Sequence, residues 1–131
     1  MPSASVLLAI PEEWEPIPSS EEFLTKTLHN AGYNVIPAFS YEDALKIIQT
    51  QYLSAVIMTS DWAMRQDDGS LGLMEYLKDK VPTYSLITQT TIRKVGNDWF
   101  NELYDRPKHE YQHMPADIDA IVFWLSETIK K

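Results

Sequence analysis

The sequence predicts an α/β protein with a five-stranded parallel sheet covered by helices on both faces. Three observations lead there. Short continuous apolar runs end in prolines or polar turns, as strands buried on both faces do. Between them, apolar residues recur at helical spacing behind capping residues. The two kinds of segment alternate with connections too long for hairpins, which implies right-handed crossovers.

Ser5 to Ile10 is the first strand, closed by Pro11. The next stretch, Pro11-Glu-Glu-Trp-Glu-Pro-Ile-Pro-Ser-Ser20, holds three prolines and two serines and reads as a long loop. Ser19 with Glu22 forms a capping-box pattern, and Phe23, Leu24, Thr27, Leu28 and Ala31 give a first helix that Gly32 stops. Tyr33 to Ala38 is a second strand, and Pro37 marks it as an edge or a strand end. Ser40 and Asp43 cap a second helix, which carries Ala44, Leu45 and Ile48 on its buried stripe and ends near Thr50.

The third strand begins at Ala55, runs Ala-Val-Ile-Met, turns polar at Thr59 and empties into an acidic turn closed by Gly69. In open α/β sheets, ligands bind at the carboxyl ends of the strands, so Asp61 is placed for chemistry. Ser70 is the expected cap of a third helix over Leu73, Met74 and Leu77, ended by Val81-Pro82. Tyr84 to Thr88 is a fourth strand. A short fourth helix, capped by Asn97 or Asp98, carries Trp99, Phe100, Leu103 and Tyr104 and ends at Pro107. Glu110 to His113 is the fifth strand. Pro115 opens the last helix, with Ile118, Ile121, Val122, Leu125 and Ile129 in one stripe.

The bulk numbers narrow the function. A chain of 131 residues with 44% hydrophobic content fits a single domain over 1–131. A net charge of −8, from 19 acidic and 11 basic residues, repels a phosphate backbone and excludes direct nucleic-acid binding as an expectation. The absence of cysteine removes thiolate chemistry and disulfides. No apolar run approaches a membrane span and the N-terminus lacks the pattern of a signal peptide. The expected setting is cytoplasmic, without membrane contact. With four glycines there is no material for a dinucleotide loop, and no nucleophile–base pair stands out, so an independent enzyme is not expected. His109 and His113 are four apart in a turn and strand, a spacing that does not put them on one face.

From Ala31-Gly-Tyr-Asn-Val35 through Ala38 and Ala44-Leu45, and then over nearly its full length, the chain resembles a response-regulator receiver domain, the signalling module of two-component systems. The resemblance implies a flavodoxin-like (βα)5 fold with strand order 2-1-3-4-5. It also implies Asp61 as phosphoacceptor, since Met64, Asp68 and Gly69 follow at the family's separations of three, seven and eight. By the same resemblance Thr88, with Thr90 as a second candidate, is the hydroxyl at the end of the fourth strand, and Tyr111 is the switch aromatic. Several positions depart from the family. Met114 stands where the pattern has lysine, with Lys108 the nearby cation; Arg65 replaces a proline; and the acidic pair after the first strand is absent unless Glu12 and Glu13 serve. The chain therefore reads as an atypical or pseudo-receiver.

Phosphoryl transfer to a carboxylate needs a divalent cation and positioning donors. Asp61 with Glu12 or Glu13 supplies the oxygen ligands of a weak Mg²⁺ site. In the competing structural account, Asp61 caps the turn that follows and the glutamates are solvated. Phe123 and Trp124 widen the apolar surface of the last helix, and with Trp99 and Phe100 they make a candidate protein-binding face.

Two functions follow. In the first, the domain signals through a protein partner, either a sensor kinase or an output domain, with a homodimer through the last helix as a variant and phosphorelay at Asp61 as the chemistry under test. In the second, the long loop and the lost family residues resemble the non-catalytic receiver-like wing domain of bacterial Lys, Orn and Arg decarboxylases. That resemblance implies oligomer assembly and a polypeptide that continues beyond Lys131 to a pyridoxal-phosphate lysine.

Overall fold

The computed structural model describes residues 4–10, 20–63, 68–77, 80–87, 93, 109–113 and 117–129. Its sheet has five strands, β1 (Ser5–Ala9), β2 (Asn34–Ala38), β3 (Ala55–Thr59), β4 (Thr83–Ile87) and β5 (His109–His113), in the order β2-β1-β3-β4-β5. Every pairing is parallel. The parallel pairing is what the alternation of segments predicts, and the strand order is that of the flavodoxin-like fold implied by the receiver resemblance. β2 lies at an edge, where Pro37 costs the fewest ladder bonds.

The helices described in full are α1 (Ser20–Asn30), α2 (Tyr41–Thr50), a single turn α3 (Ser60–Ala63), α4 (Leu73–Leu77) and α5 (Ile118–Thr128). They divide between the two faces. On one face Leu7, Ala9, Val56, Met58 and Ile87 meet Ala44 of α2, Ala63 of α3, and Leu73, Met74 and Leu77 of α4. On the other, Val6, Leu8, Ile57, Tyr84 and Leu86 meet Leu24 and Leu28 of α1, and Ile121 and Leu125 of α5. Successive strand residues point to opposite faces, so β3 and β4, with a helix layer on each side, are buried at every position. Each such aliphatic side chain contributes about 1.5–3 kcal/mol of burial.

Local chemistry sets the ends of the elements. α1 stops at Gly32, whose φ of +99 is the left-handed conformation that glycine adopts without penalty. Tyr33 N donates to Leu28 O at 3.2 Å and Gly32 N to His29 O at 3.0 Å, the paired bonds of a Schellman stop. Ser40 caps α2 as expected, its Oγ accepting from Asp43 N at 3.1 Å. Thr50 closes the same helix, its hydroxyl donating to Lys46 O at 2.7 Å.

Two boundaries differ from expectation. Ser70 is not the helix cap. Its N–H donates to Asp68 Oδ1 at 2.9 Å, Gly69 takes a φ of +92, and helix α4 starts only at Leu73. The Asp-Gly-Ser stretch satisfies its own backbone as an Asx turn and thereby delays the helix. α5 is capped by Asp117, whose Oδ1 accepts from Ala120 N at 3.2 Å, and begins at Ile118. An aspartate acceptor outranks the preference of proline for a first turn. The fourth predicted helix and the cap at Ser19 lie outside the described residues.

Candidate functional site

Asp61 stands at the carboxyl end of the sheet, two residues past β3 and in the turn of α3. The strand delivers it there because Ala55 to Thr59 are fully enclosed, and the chain can leave the core only after Thr59. Asp61 is half-buried between buried Ser60 and Ala63. The hydroxyl of Thr59 donates to Asp61 Oδ2 and accepts from Asp61 N, both at 3.5 Å. These are long contacts that orient the carboxylate more than they bind it.

The stretch from Asp68 to Leu71 is held at two points. Ser70 holds the carboxyl of Asp68 below the usual carboxylate range through its side-chain and backbone hydrogen bonds. The phenol of Tyr41, at the start of α2, donates to Leu71 O. Burial, followed by the neighbouring Tyr76, raises the pKa of Tyr41, which keeps that phenol protonated as a donor.

Tyr111 lies on β5, paired in register with Ser85, and packs half-buried against the cluster of Leu7, Met58 and Ile87. β4 separates its strand from β3, beyond which Asp61 stands. Ser85 Oγ is buried without a hydrogen-bond partner among the described residues. The remaining members of the predicted site, Glu12, Glu13 and Thr88, fall outside the described residues, as do Lys108, Met114, Trp99 and Phe100. Asp61 is thus the one described member of the proposed Mg²⁺ set, and among the described residues no three His, Asp or Glu side chains gather as a metal site.

α5 divides its aromatics. Phe123 is 67% exposed, whereas Trp124 packs against the core and meets Tyr84 edge-to-face, with ring centroids 5.2 Å apart. Of the two predicted surface aromatics on this helix, only Phe123 is free to contact a partner. No described helix is long and apolar enough to cross a membrane.

Sequence reasoning passed over Gln112. Its Nε2 donates to the Tyr84 hydroxyl at 2.9 Å and to Asp117 O at 3.3 Å, and its Oε1 accepts from Asp117 N at 2.6 Å. The readable signal was Asp117 ahead of an apolar stripe, a capping pattern that Pro115 obscured.

Comparison with known proteins gives a fold and a family. The model of the family described as Orn/Lys/Arg decarboxylase, N-terminal domain, matches residues 19–120. No curated protein matches. Among solved structures, the chain is similar to the response regulator receiver protein of Sinorhizobium medicae WSM419, with a TM-score of 0.65 and 16% identity over 96% of this chain and 94% of that one. It is similar to the chemotaxis response regulator CheY4 of Vibrio cholerae, with a TM-score of 0.64 and 16% identity over 97% and 100% of the two chains. The receiver domain of the Francisella response regulator 1452 gives 0.67 and 19% identity over 96% of each. At such identities the likeness establishes the receiver fold alone.

Proposed function

The chain belongs to the family of Orn/Lys/Arg decarboxylase N-terminal domains, and on that premise we propose that it is a non-catalytic assembly module, a receiver fold that works by protein contact. The observation that carries the proposal is the family match over residues 19–120, which runs from the start of α1 into α5. Two features support it. Met114 stands where the receiver pattern has its lysine, so no cation is supplied there to hold a phosphoryl oxygen. An aromatic ring, Phe123, projects from α5 in the exposed state that an interface anchor needs. The partner would be a second copy of this module or the catalytic portion of a basic amino-acid decarboxylase.

A phosphorylation-switched receiver, with a sensor kinase or output domain as partner, is the second reading. It is favoured by the position of Asp61 directly beyond β3 at the carboxyl edge of the sheet. Two measurements on one preparation separate the alternatives. Sedimentation velocity over a range of concentrations is expected to show self-association that Phe123→Ala weakens. Intact mass after incubation with a small phosphodonor and Mg²⁺ is expected to show no adduct. A monomer at every concentration that gains one phosphoryl group on Asp61 overturns the assembly proposal in favour of signalling.

A further inference from the structure

One side chain ties β5 to α5. Gln112 stands opposite Leu86 in the sheet, on the face that α5 covers. Its amide accepts from Asp117 N at 2.6 Å and donates to Asp117 O at 3.3 Å. That two-way exchange is what a paired backbone would make, so the side chain acts as a surrogate peptide. Asp117 is in turn the cap of α5, accepting from Ala120 N at 3.2 Å. The same Gln112 Nε2 donates at 2.9 Å to the hydroxyl of Tyr84, a residue only 6% exposed, and the Tyr84 ring packs edge-to-face on Trp124 at 5.2 Å. Trp124 is seven residues beyond Asp117, about two helical turns along. Gln112 therefore grips α5 at its cap directly and two turns further on through Tyr84.

We propose that Gln112 is a strut that holds α5 on the sheet in one arrangement, so that the exposed face with Phe123 is presented constitutively rather than switched at the β5–α5 junction. The use made of that face rests on the assembly function proposed above; the strut itself does not. A switching element needs two arrangements of comparable free energy. Sliding or lifting α5 would break the two hydrogen bonds between Gln112 and Asp117 and part Trp124 from the Tyr84 ring, and each hydrogen bond lost lowers the population of the opened state by about two- to tenfold. The two bonds to Asp117 join one residue pair and act on one helix, so they fail together.

Amide hydrogen exchange on the whole chain tests this. In Gln112→Ala, which removes all three bonds, amides of residues 118–125 should exchange at least about tenfold faster while those of β1 and β3 keep their protection. In Tyr84→Phe, which removes one acceptor and keeps the ring on Trp124, the increase should be about two- to tenfold and again confined to α5 and β5. Unchanged protection of α5 in Gln112→Ala overturns the strut, as does an equal loss in β1, β3 and α5, which would make Gln112 general core support. Should Gln112→Ala not fold, Tyr84→Phe decides, and no local increase in α5 refutes the strut. In the wild type, exchange of residues 118–129 should not respond to a small phosphodonor with Mg²⁺; a response overturns constitutive presentation. None of these readouts needs a partner, so a protein that never associates but keeps α5 protected retains the strut and rejects only the assembly function.

Discussion

Leu125→Ala and Phe123→Ala lie two residues apart on α5 and should have opposite consequences. Leu125 is fully buried in the cluster with Leu8, Leu24, Leu28, Ile57 and Leu86, and Phe123 is 67% exposed. Truncating a fully enclosed leucine costs about 3 kcal/mol, from lost transfer energy and the cavity left behind. With about 2.1 cal/mol/K of unfolding entropy per residue, a chain of 131 residues loses about 1 °C of Tm for every 0.28 kcal/mol. Leu125→Ala should therefore melt about 11 °C lower. Phe123→Ala removes little buried surface and places a better helix former on an exposed face, so its Tm should stay within about 2 °C of the wild type. In association the order reverses. An aromatic anchor at the centre of an interface typically costs over 1–2 kcal/mol when truncated, so Phe123→Ala should weaken self-association about tenfold or more in sedimentation velocity. Thermal melts followed by circular dichroism give the first half of the test. A loss under about 3 °C in Leu125→Ala, or an equal loss in both variants, would refute the assignment of buried and exposed faces on α5.

Removing the cap of α2 with Ser40→Ala leaves Asp43 N without its 3.1 Å acceptor and should cost about 1 kcal/mol, a drop of about 3–4 °C in Tm; no change would show that water replaces the hydroxyl fully. Tyr84 supplies a pH test. Burial, reinforced by the charges of Glu110 and Asp117 and opposed by the Gln112 hydrogen bond, raises the Tyr84 pKa above its ordinary value of 10.0. The folded state therefore holds this proton more tightly than the unfolded chain does. The stability so contributed is complete below pH of about 10 and is lost as pH rises through the raised folded value. Denaturation by urea between pH 9 and 11 should show this decline in the wild type and a shallower one in Tyr84→Phe, while an identical slope would remove Tyr84 from the alkaline transition.

The parts of the fold legible in the sequence were those governed by one dominant local force. β1 and β3 each hold a run of four apolar residues, Val6 to Ala9 and Ala55 to Met58, because both their faces are covered, and that pattern is visible without any knowledge of neighbours. Gly32 and Ser40 act within a few residues of themselves, so the end of α1 and the start of α2 were legible too. Where two local signals competed, the sequence did not say which would win. Ser70 could cap a helix or close an Asx turn with Asp68, and the left-handed Gly69 between them settles it for the turn. Pro115 and Asp117 could each open α5, and the side-chain acceptor of Asp117 decides. Long-range pairing was invisible. The bond from Gln112 to Tyr84 spans 28 positions, and nothing in the local pattern of a polar edge strand announces it. Trp124 and Phe123 read alike in sequence, yet only the tertiary position of Tyr84 turns one inward. In the site, the place of Asp61 was readable because a strand end is a local feature. Which groups surround a carboxylate is a property of several strand ends at once.

That contrast bears on what the receiver fold does here. A carboxylate at position 61 has a structural role that requires no phosphoryl chemistry: it accepts from the Thr59 hydroxyl at 3.5 Å and carries negative charge in the first turn of α3, where backbone N–H groups lack intrahelical partners. Its presence alone therefore does not argue for a phosphoacceptor. On the opposite face of the sheet the amide of Gln112, the phenol of Tyr84 and the cap of Asp117 form a connected network. In this protein the network fixes a helix that presents an exposed aromatic ring. Order under that surface is what the assembly function proposed above requires of α5.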